Sequence, residues 1–519
     1  MRNALITKAS PPQYNTFRDV EREQQQQTGK ANNRRMFLAV FTAVLGNVSF
    51  GYAMVYTSPV VPELEHSPNL NLKMNTQSAS LFESVFTLGT AFGGLSAMLF
   101  NDLLGRKLTI MVSTVPSALG FALMGSAQTI WMLDVGRALT GFAGGMAASS
   151  IPVYISEISV VKLRGRLGST PQFMLVCGSL LLYALDLVLS WRWLAAVGTI
   201  IPAVLVIILC FMPESPRYLV SKDRDHEAVQ ALMWLRGSDF NYLLEYREIQ
   251  EALVGNVKKV SCTDLRQTFV YKPMLITITM RVFQQLSGIT PILINMQLIF
   301  DSTSVILKGS YDAVLVGAIR LVSVSIAAWI MDKAGRRKLL FVSGIIMFMS
   351  TLTFGVYVKV NDVRSNVTNI STMESGHLTV EHLFQTSTEK WLTLIPLISI
   401  MVYIFGYALG WGPVTWLLMS EILPIKVRGL TSGLCVIVSY ITAFILTKWF
   451  LPVKKSFGLS VPFFFFCVIS IFAIIFTAFC IPETKGKTLE QLEREFRNLK
   501  DSPNHDNSCV ESGHRRAGS

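Results

Sequence analysis

Charge is what this sequence lacks most. Of its 519 residues, 15% are Asp, Glu, Lys or Arg, against 51% hydrophobic, and the mean hydropathy is +0.44. A soluble domain carries about a quarter charged residues, and a soluble surface helix keeps a polar face. Here apolar runs of about 20 residues recur along the whole chain, most without such a face. Each is long enough to cross a hydrocarbon core ~30 Å thick at about 1.5 Å per residue. The chain therefore reads as an all-α, multi-pass membrane protein whose first partner is the lipid bilayer. Catalytic signatures are also missing. There is no phosphate-binding glycine loop, no metal-ligand cluster and no nucleophilic triad spacing, which excludes a nucleotide-driven pump and a metalloenzyme. The expectation is a protein that is not an enzyme and carries no cofactor and no metal. No cleavable leader is visible in residues 1–35, which hold seven basic residues and the run Gln24–Gln27 and read as a disordered cytosolic tail. Cysteine is scarce, at seven. All seven fall in apolar runs or on the cytosolic side, so no structural disulfide is expected.

Twelve spans are legible, at 36–58, 77–100, 107–127, 130–155, 168–190, 193–212, 273–300, 311–331, 338–358, 392–419, 430–451 and 460–481. Basic clusters at 105–107, 162–166, 333–338 and 426–429 fall on the same side as the N-terminal tail. The positive-inside rule then puts both termini in the cytosol. The net charge of +12 is mostly this topology signal; no basic soluble domain for nucleic acid is present. The same topology places Asn366 and Asn369, the two sequons Asn-Val-Thr and Asn-Ile-Ser, in an outer loop between spans nine and ten, as candidate glycosylation sites.

Motifs recur in order. "NDLLGRK" after span two is echoed by "MDKAGRRK" after span eight, "SEISVVKLRG" after span four by "SEILPIKVRG" after span ten, and "PESPR" by "PETKG". Chance would not preserve the order, so the chain is a duplication. It comprises a six-helix bundle at 36–212, a cytosolic linker at 213–272, a second bundle at 273–481 and a tail at 482–519. Repeats of this kind place a binding site at mid-membrane between two bundles that rock against each other. In the linker, Ala228, Leu232 and Leu235 share a helical face, which predicts short amphipathic helices on the cytosolic surface.

Within the spans, polar residues stand out. Gln284 and Gln285 lie about 11 residues into span seven, hence ~17 Å from its inner end, where an unpaired amide costs several kcal/mol. Burial alone leaves two readings, interhelical hydrogen bonding or contact with a polar solute. Gly288 and Pro291 predict a break in span seven, and Gly410, Gly412 and Pro413 a break in span ten; freed carbonyls belong where they line a cavity. Asn295, eleven residues after Gln284, returns to the same face and with Thr290 is a further candidate contact for the solute. Arg320 lies about 18 Å deep in span eight, too central to snorkel, and no acid in a span of its own half neutralises it. Its partner is water, a freed carbonyl, a residue of the first half or the solute. Asp134 and Arg137, three apart on a helix, are expected to pair.

"GRK"/"AGRR", "PESPR", "QQLSGI", "GPVTW" and "PETKG", in this order over residues 36–490, resemble the sugar porter family of the major facilitator superfamily. "GYAMVYTSPVVP", the short first outer loop and Arg320 resemble its class III facilitative glucose transporters. The resemblance implies the major facilitator fold, with twelve helices in two pseudo-two-fold bundles, and passive transport of a hexose-like sugar with no oligomer required. It implies sugar contacts at Gln172, Gln284, Gln285 and Trp416. It also implies an inner gate built from Arg106, Glu157, Arg164 and Arg217 of the first half and Asp332, Arg336, Glu421 and Arg428 of the second. Thr290, Ala408 and Ser439-Tyr440 depart from the family's glucose-binding pattern, and each lowers the expected affinity for glucose itself. Ala53 stands where proton-coupled relatives carry Asp, which favours uniport over symport, with Glu83, Asp134 or Asp186 as substitutes. A sugar sensor without turnover is the other alternative. Class III relatives often sit on endosomes or lysosomes through an acidic dileucine; here Leu5-Ile6 has no acid before it, and an endolysosomal membrane is the expectation, with the plasma membrane as alternative.

Overall fold

The computed structural model describes residues 33–160, 163, 167–237, 242–254, 268–303, 309–331, 334–374, 393–423 and 428–484. Arg164 and Asp332 lie outside these residues, and at Asn366, Asn369 and Arg428 only the backbone is described.

The first half runs α1 (Arg34–Val55), α2 (Thr57–Glu65), α3 (Thr76–Leu103), α4 (Arg106–Gly125), α5 (Ile130–Ile158), α6 (Thr170–Asp186) and α7 (Trp191–Cys210). Then come the short helices α8 (Pro216–Ser221), α9 (Asp225–Arg236) and α10 (Tyr242–Val254). The second half is α11 (Thr268–Leu286), α12 (Ile289–Ile294), α13 (Met296–Asp301), α14 (Gly309–Met331), α15 (Arg336–Glu374), α16 (Ile395–Leu409), α17 (Pro413–Ile422), α18 (Arg428–Phe457) and α19 (Ser460–Phe479). No strand occurs among the described residues. Among the described residues, ten helical segments are long and apolar enough to cross a membrane. The expected fifth span, α6, is shorter at 17 residues, and the expected seventh is divided into α11, α12 and α13.

Local chemistry explains these bounds. At the start of α3, Asn75 accepts from the Ser78 N–H at 2.8 Å while the Asn75 N–H donates to the Ser78 hydroxyl at 2.9 Å, a reciprocal cap. In α19 the exposed residues Val461, Phe465, Val468, Phe472, Ile475 and Phe479 alternate in steps of three and four with buried Phe463, Phe466, Ser470, Ala473 and Thr477. Such an inside-out pattern suits a helix whose outer face meets hydrocarbon. Small residues bring helices together: a Cβ on Gly51 of α1 would overlap the Leu175 carbonyl of α6.

Two differences from the sequence reading have physical causes. The break in span seven falls at Gly288, whose φ of 94° is left-handed, and again at Asn295, not at Pro291. Pro291 is the third residue of α12, in the first turn, where a missing N–H costs nothing. The ninth span does not end in a loop before the sequons: α15 continues helical through Asn366 and Asn369 to Glu374. No Gly or Pro occurs between Gly355 and Gly376 to stop it. In the linker, Ala228, Leu232 and Leu235 are all buried on α9 as the pattern predicts. Arg236 fixes that helix with two bonds to Glu245, at 2.9 and 2.7 Å, and one to the Ile158 carbonyl at the end of α5.

The halves meet where α3 packs on α18, α6 on α14, and α12–α13 on α1–α2. The first and last described residues, Asn33 and Thr484, and the helices α8–α10 lie at one end of the bundle, called here the tail end. Among the described residues, the hydrogen bonds that cross between halves lie from the middle to the far end. Asn295 donates to Glu83 at 3.0 Å, the Gln297 N–H to Ser58 Oγ at 3.1 Å, Gln297 Nε2 to Asp186, Tyr183 to the Leu293 carbonyl at 2.9 Å, and Lys455 to Thr76 at 3.1 Å. The far end is thus latched shut.

Candidate functional site

The two helix breaks face each other across the middle of the second half, and Gln284 joins them. Pro291 has no N–H for the Ser287 carbonyl, and the Tyr403 hydroxyl takes that carbonyl at 2.9 Å. On the other side, Gly410, Trp411 and Gly412 separate α16 from α17, with Pro413 opening α17. The Gln284 amide donates to the carbonyls of Trp411 at 2.7 Å and Gly412 at 3.3 Å, and to the Tyr407 hydroxyl at 3.0 Å. Its oxygen accepts from Arg281. Gln285 turns the other way: it accepts from Thr290 at 2.7 Å and donates to Ser439 of α18 at 3.1 Å. Both amides are buried, and in this state each is satisfied by protein. Thr290 and Ser439, two of the positions that depart from the family pattern, are thereby the partners of Gln285.

The other sequence candidates separate. Arg320 donates to Ser179 Oγ of α6 at 3.4 Å, so the partner it finds is a residue of the first half. Trp416 lies half-buried with its ring 3.9 Å from the Arg281 guanidinium. Gln172, near the start of α6, is half-buried and bonded to no other described residue. Asn295 is not brought to Gln284: it sits toward the far end, held by Glu83 and by the Pro291 carbonyl at 3.2 Å. Asp134 and Arg137 do not pair. Arg137 turns inward, donating to the Ala53 carbonyl and lying 4.3 Å from the Phe86 ring.

Arg281 is the residue the sequence reading passed over. It is fully buried, three residues before Gln284, and among the described residues its Nε has no hydrogen-bond partner. The signal was present, an arginine inside an apolar run in phase with the paired amides.

At the tail end the duplication is written in side chains. In the first half, Arg106 meets Glu157 at 2.9 Å, Ser215 donates to Glu157, and Glu214 accepts from the N–H groups of Arg106 and Lys107 at 3.1 and 3.0 Å. In the second, Arg336 meets Glu421 at 3.2 Å, Thr484 donates to Glu421 at 2.6 Å, and Glu483 accepts from the Arg336 N–H at 3.0 Å. These ion pairs lie within each half and do not bridge the two. Arg217 is exposed. Glu214, Ser215, Glu483 and Thr484 join the expected set; the "PES"/"PET" echo was their signal. Burial pushes the Glu214 carboxyl above the usual carboxylate range, against the lowering pull of its backbone N–H bonds.

The pattern of the family described as "Sugar (and other) transporter" matches residues 38–496. The chain belongs to this family. Within the sugar transporters it is 52% identical over 492 residues to the human "Solute carrier family 2, facilitated glucose transporter member 6", covering 94% of this chain and 97% of that one. It is 40% identical to the bovine "facilitated glucose transporter member 8" over 469 residues, 89% of this chain and 95% of that one. These relatives are named as transporters and not as enzymes. The fold matches a solved structure described as the "Inward open conformation of the xylose transporter XylE from E. coli". That match has a TM-score of 0.71 at 22% identity and covers 89% of this chain and 99% of that one. The fold is accordingly that of a major facilitator sugar transporter.

Proposed function

We propose that this sugar transporter moves a hexose-like solute passively by alternating access between its two bundles. The observation that carries the reading is Gln284, a buried amide that ties the break in span seven to the break in span ten. A solute hydroxyl competing for that amide would release the Trp411 and Gly412 carbonyls and couple binding to helix movement. Gln285 would contact the solute by the same exchange, with Gln172 and Trp416 on the tail-end approach. Positive-inside topology makes the tail end cytosolic, so the latched far end corresponds to a cytosol-facing state. In the opposite state the Arg106–Glu157 and Arg336–Glu421 clusters, with Arg164, Arg217, Asp332 and Arg428, would lock the cytosolic ends together.

Uniport is favoured because the Arg137 guanidinium meets the Ala53 carbonyl, where coupled relatives offer an acid. Glu83, buried against Asn295, is the observation on which a proton-coupled reading rests. Kinship with members 6 and 8 favours an endolysosomal membrane, and Asn366 and Asn369 are proposed glycosylation sites on its lumenal face. The decisive experiment is uptake of a radiolabelled hexose panel into proteoliposomes with a pH dye inside. Solute-driven uptake without a pH change, reduced about tenfold or more in Gln284→Ala, is expected, since the variant strips partners from buried carbonyls. A pH change driven by solute would establish symport. Binding without uptake would leave only a sensor.

A further inference from the structure

We infer that the central site is built for a sugar bearing an anionic group, such as a hexuronate or a hexose phosphate. The inference rests on the transport reading above and names its substrate class. Two arginines converge on the site, Arg281 and Arg320, 1% and 5% exposed. The ionisable groups facing Arg281 are Tyr440, Tyr407 and Cys435, and those facing Arg320 are Tyr183 and Tyr407. Neither set holds a carboxylate. Arg281 bonds to Gln284 itself, and Tyr407, whose hydroxyl accepts from Gln284, lies near enough to act on the charge of Arg320 as well, which ties the second arginine to the same region. Of the other two buried arginines among the described residues, Arg236 has its acid, Glu245, while Arg137 is held by the Ala53 carbonyl and the faces of Phe82 and Phe86.

The partners present do not compensate these cations. Among the described residues Arg281 has the Gln284 oxygen and the face of Trp416, and its Nε is unpartnered. Arg320 has one long bond to Ser179. A guanidinium offers five N–H donors and no acceptor, and two uncompensated cations at mid-membrane are costly and functional by default. A neutral hexose supplies hydroxyls but no charge. A carboxylate or phosphate supplies paired oxygens in the geometry a guanidinium recognises, while its ring hydroxyls still meet Gln284, Gln285 and Tyr407. The face of Trp416 is already held by Arg281, which further disfavours stacking of a neutral sugar ring there.

The test uses the purified full-length protein in liposomes with labelled glucose, glucuronate and glucose 6-phosphate, each alone and in competition. Expected is faster uptake of one or both anionic sugars than of glucose, with charge movement visible to a potential-sensitive dye. Arg281→Gln should shift the anion-to-glucose ratio about tenfold toward glucose, because a charge-assisted bond becomes a neutral one. Uptake of glucuronate but not the phosphate, or the reverse, assigns the anion. Glucose uptake that neither anion inhibits, in wild-type protein, would overturn the inference while leaving sugar transport intact. No uptake of any sugar would instead overturn the transport reading. The competition arm needs no variant, so it decides the matter even where Arg281→Gln fails to fold.

Discussion

Gln285 shows how a single side chain can hold a candidate binding site closed on itself. Its oxygen and nitrogen bridge Thr290 and Ser439, so two helices share one amide. Gln285→Leu should leave both hydroxyls without their partner at a cost of about 1–3 kcal/mol for each unsatisfied group. The expected outcome is a lower unfolding temperature in detergent together with reduced sugar uptake; unchanged stability would show that the hydroxyls find other partners. Gln284 and Gln285 were legible in the sequence because an amide in an apolar run must be satisfied by something. What satisfied them was not legible. Trp411 and Gly412 lie some 127 positions away from Gln284, and only the folded chain brings their carbonyls to it. Arg281 was hidden for a different reason. Beside two glutamines it read as the edge of a motif, and its isolation from acids is a property of the surroundings, not of the run.

Breaks and caps decide how the elements behave. Gly288 sits at φ 94° with the Phe466 ring against its α-carbon, so a Cβ there would lie 2.5 Å from ring atoms. Gly288→Ala should therefore combine backbone strain of about 1–3 kcal/mol with a clash. The measurement is thermal unfolding followed by size exclusion; a variant as stable as wild type would mean that α12 and α19 can separate freely. Helix breaks could be foreseen from Gly and Pro, and those at Gly288 and at Gly410–Gly412 fall where the sequence places them. Pro291 is different: proline is harmless in a first turn, and the second break of span seven lies at Asn295 instead. The extension of α15 past the expected loop has the same origin, since only tertiary context or a breaker stops a helix and neither intervenes before Glu374. At the start of α4, Glu214 takes the place of a local cap. Because burial raises its affinity for a proton in the folded state, the folded protein binds more protons than the unfolded one between the ordinary glutamate range and the raised value. Stability from this group is complete below that range and declines as pH rises through the folded value. Glu214→Gln should remove that part of the pH slope in unfolding experiments; an unaltered slope would assign it to another group.

For the whole molecule, the two halves and their duplication were legible in three ordered echoes. The state of the transporter was not, because which end is latched depends on contacts between halves more than 200 positions apart, such as Glu83 with Asn295. Asn295→Ala removes that contact. A bond worth about 1 kcal/mol shifts a two-state equilibrium roughly fivefold. Labels at the exposed far-end positions Leu70 and Ser302 should then report a larger population of long distances. If the distance distribution does not change, the latch is carried by α3 and α18 instead.

The carboxylates of Glu214 and Glu483 have a consequence for how the chain is made. α4 begins at Arg106 without a cap of its own, and its first N–H groups wait for a residue 108 positions downstream. α15 begins at Arg336 and waits for Glu483, 147 positions on. On the ribosome, each bundle stays unfinished at its tail end until its last helix has entered the membrane and the residue after it has emerged. The duplicated glutamate therefore marks the completion of each half, and a nascent chain stopped at residue 212 would hold helices α1–α7 with α4 still uncapped.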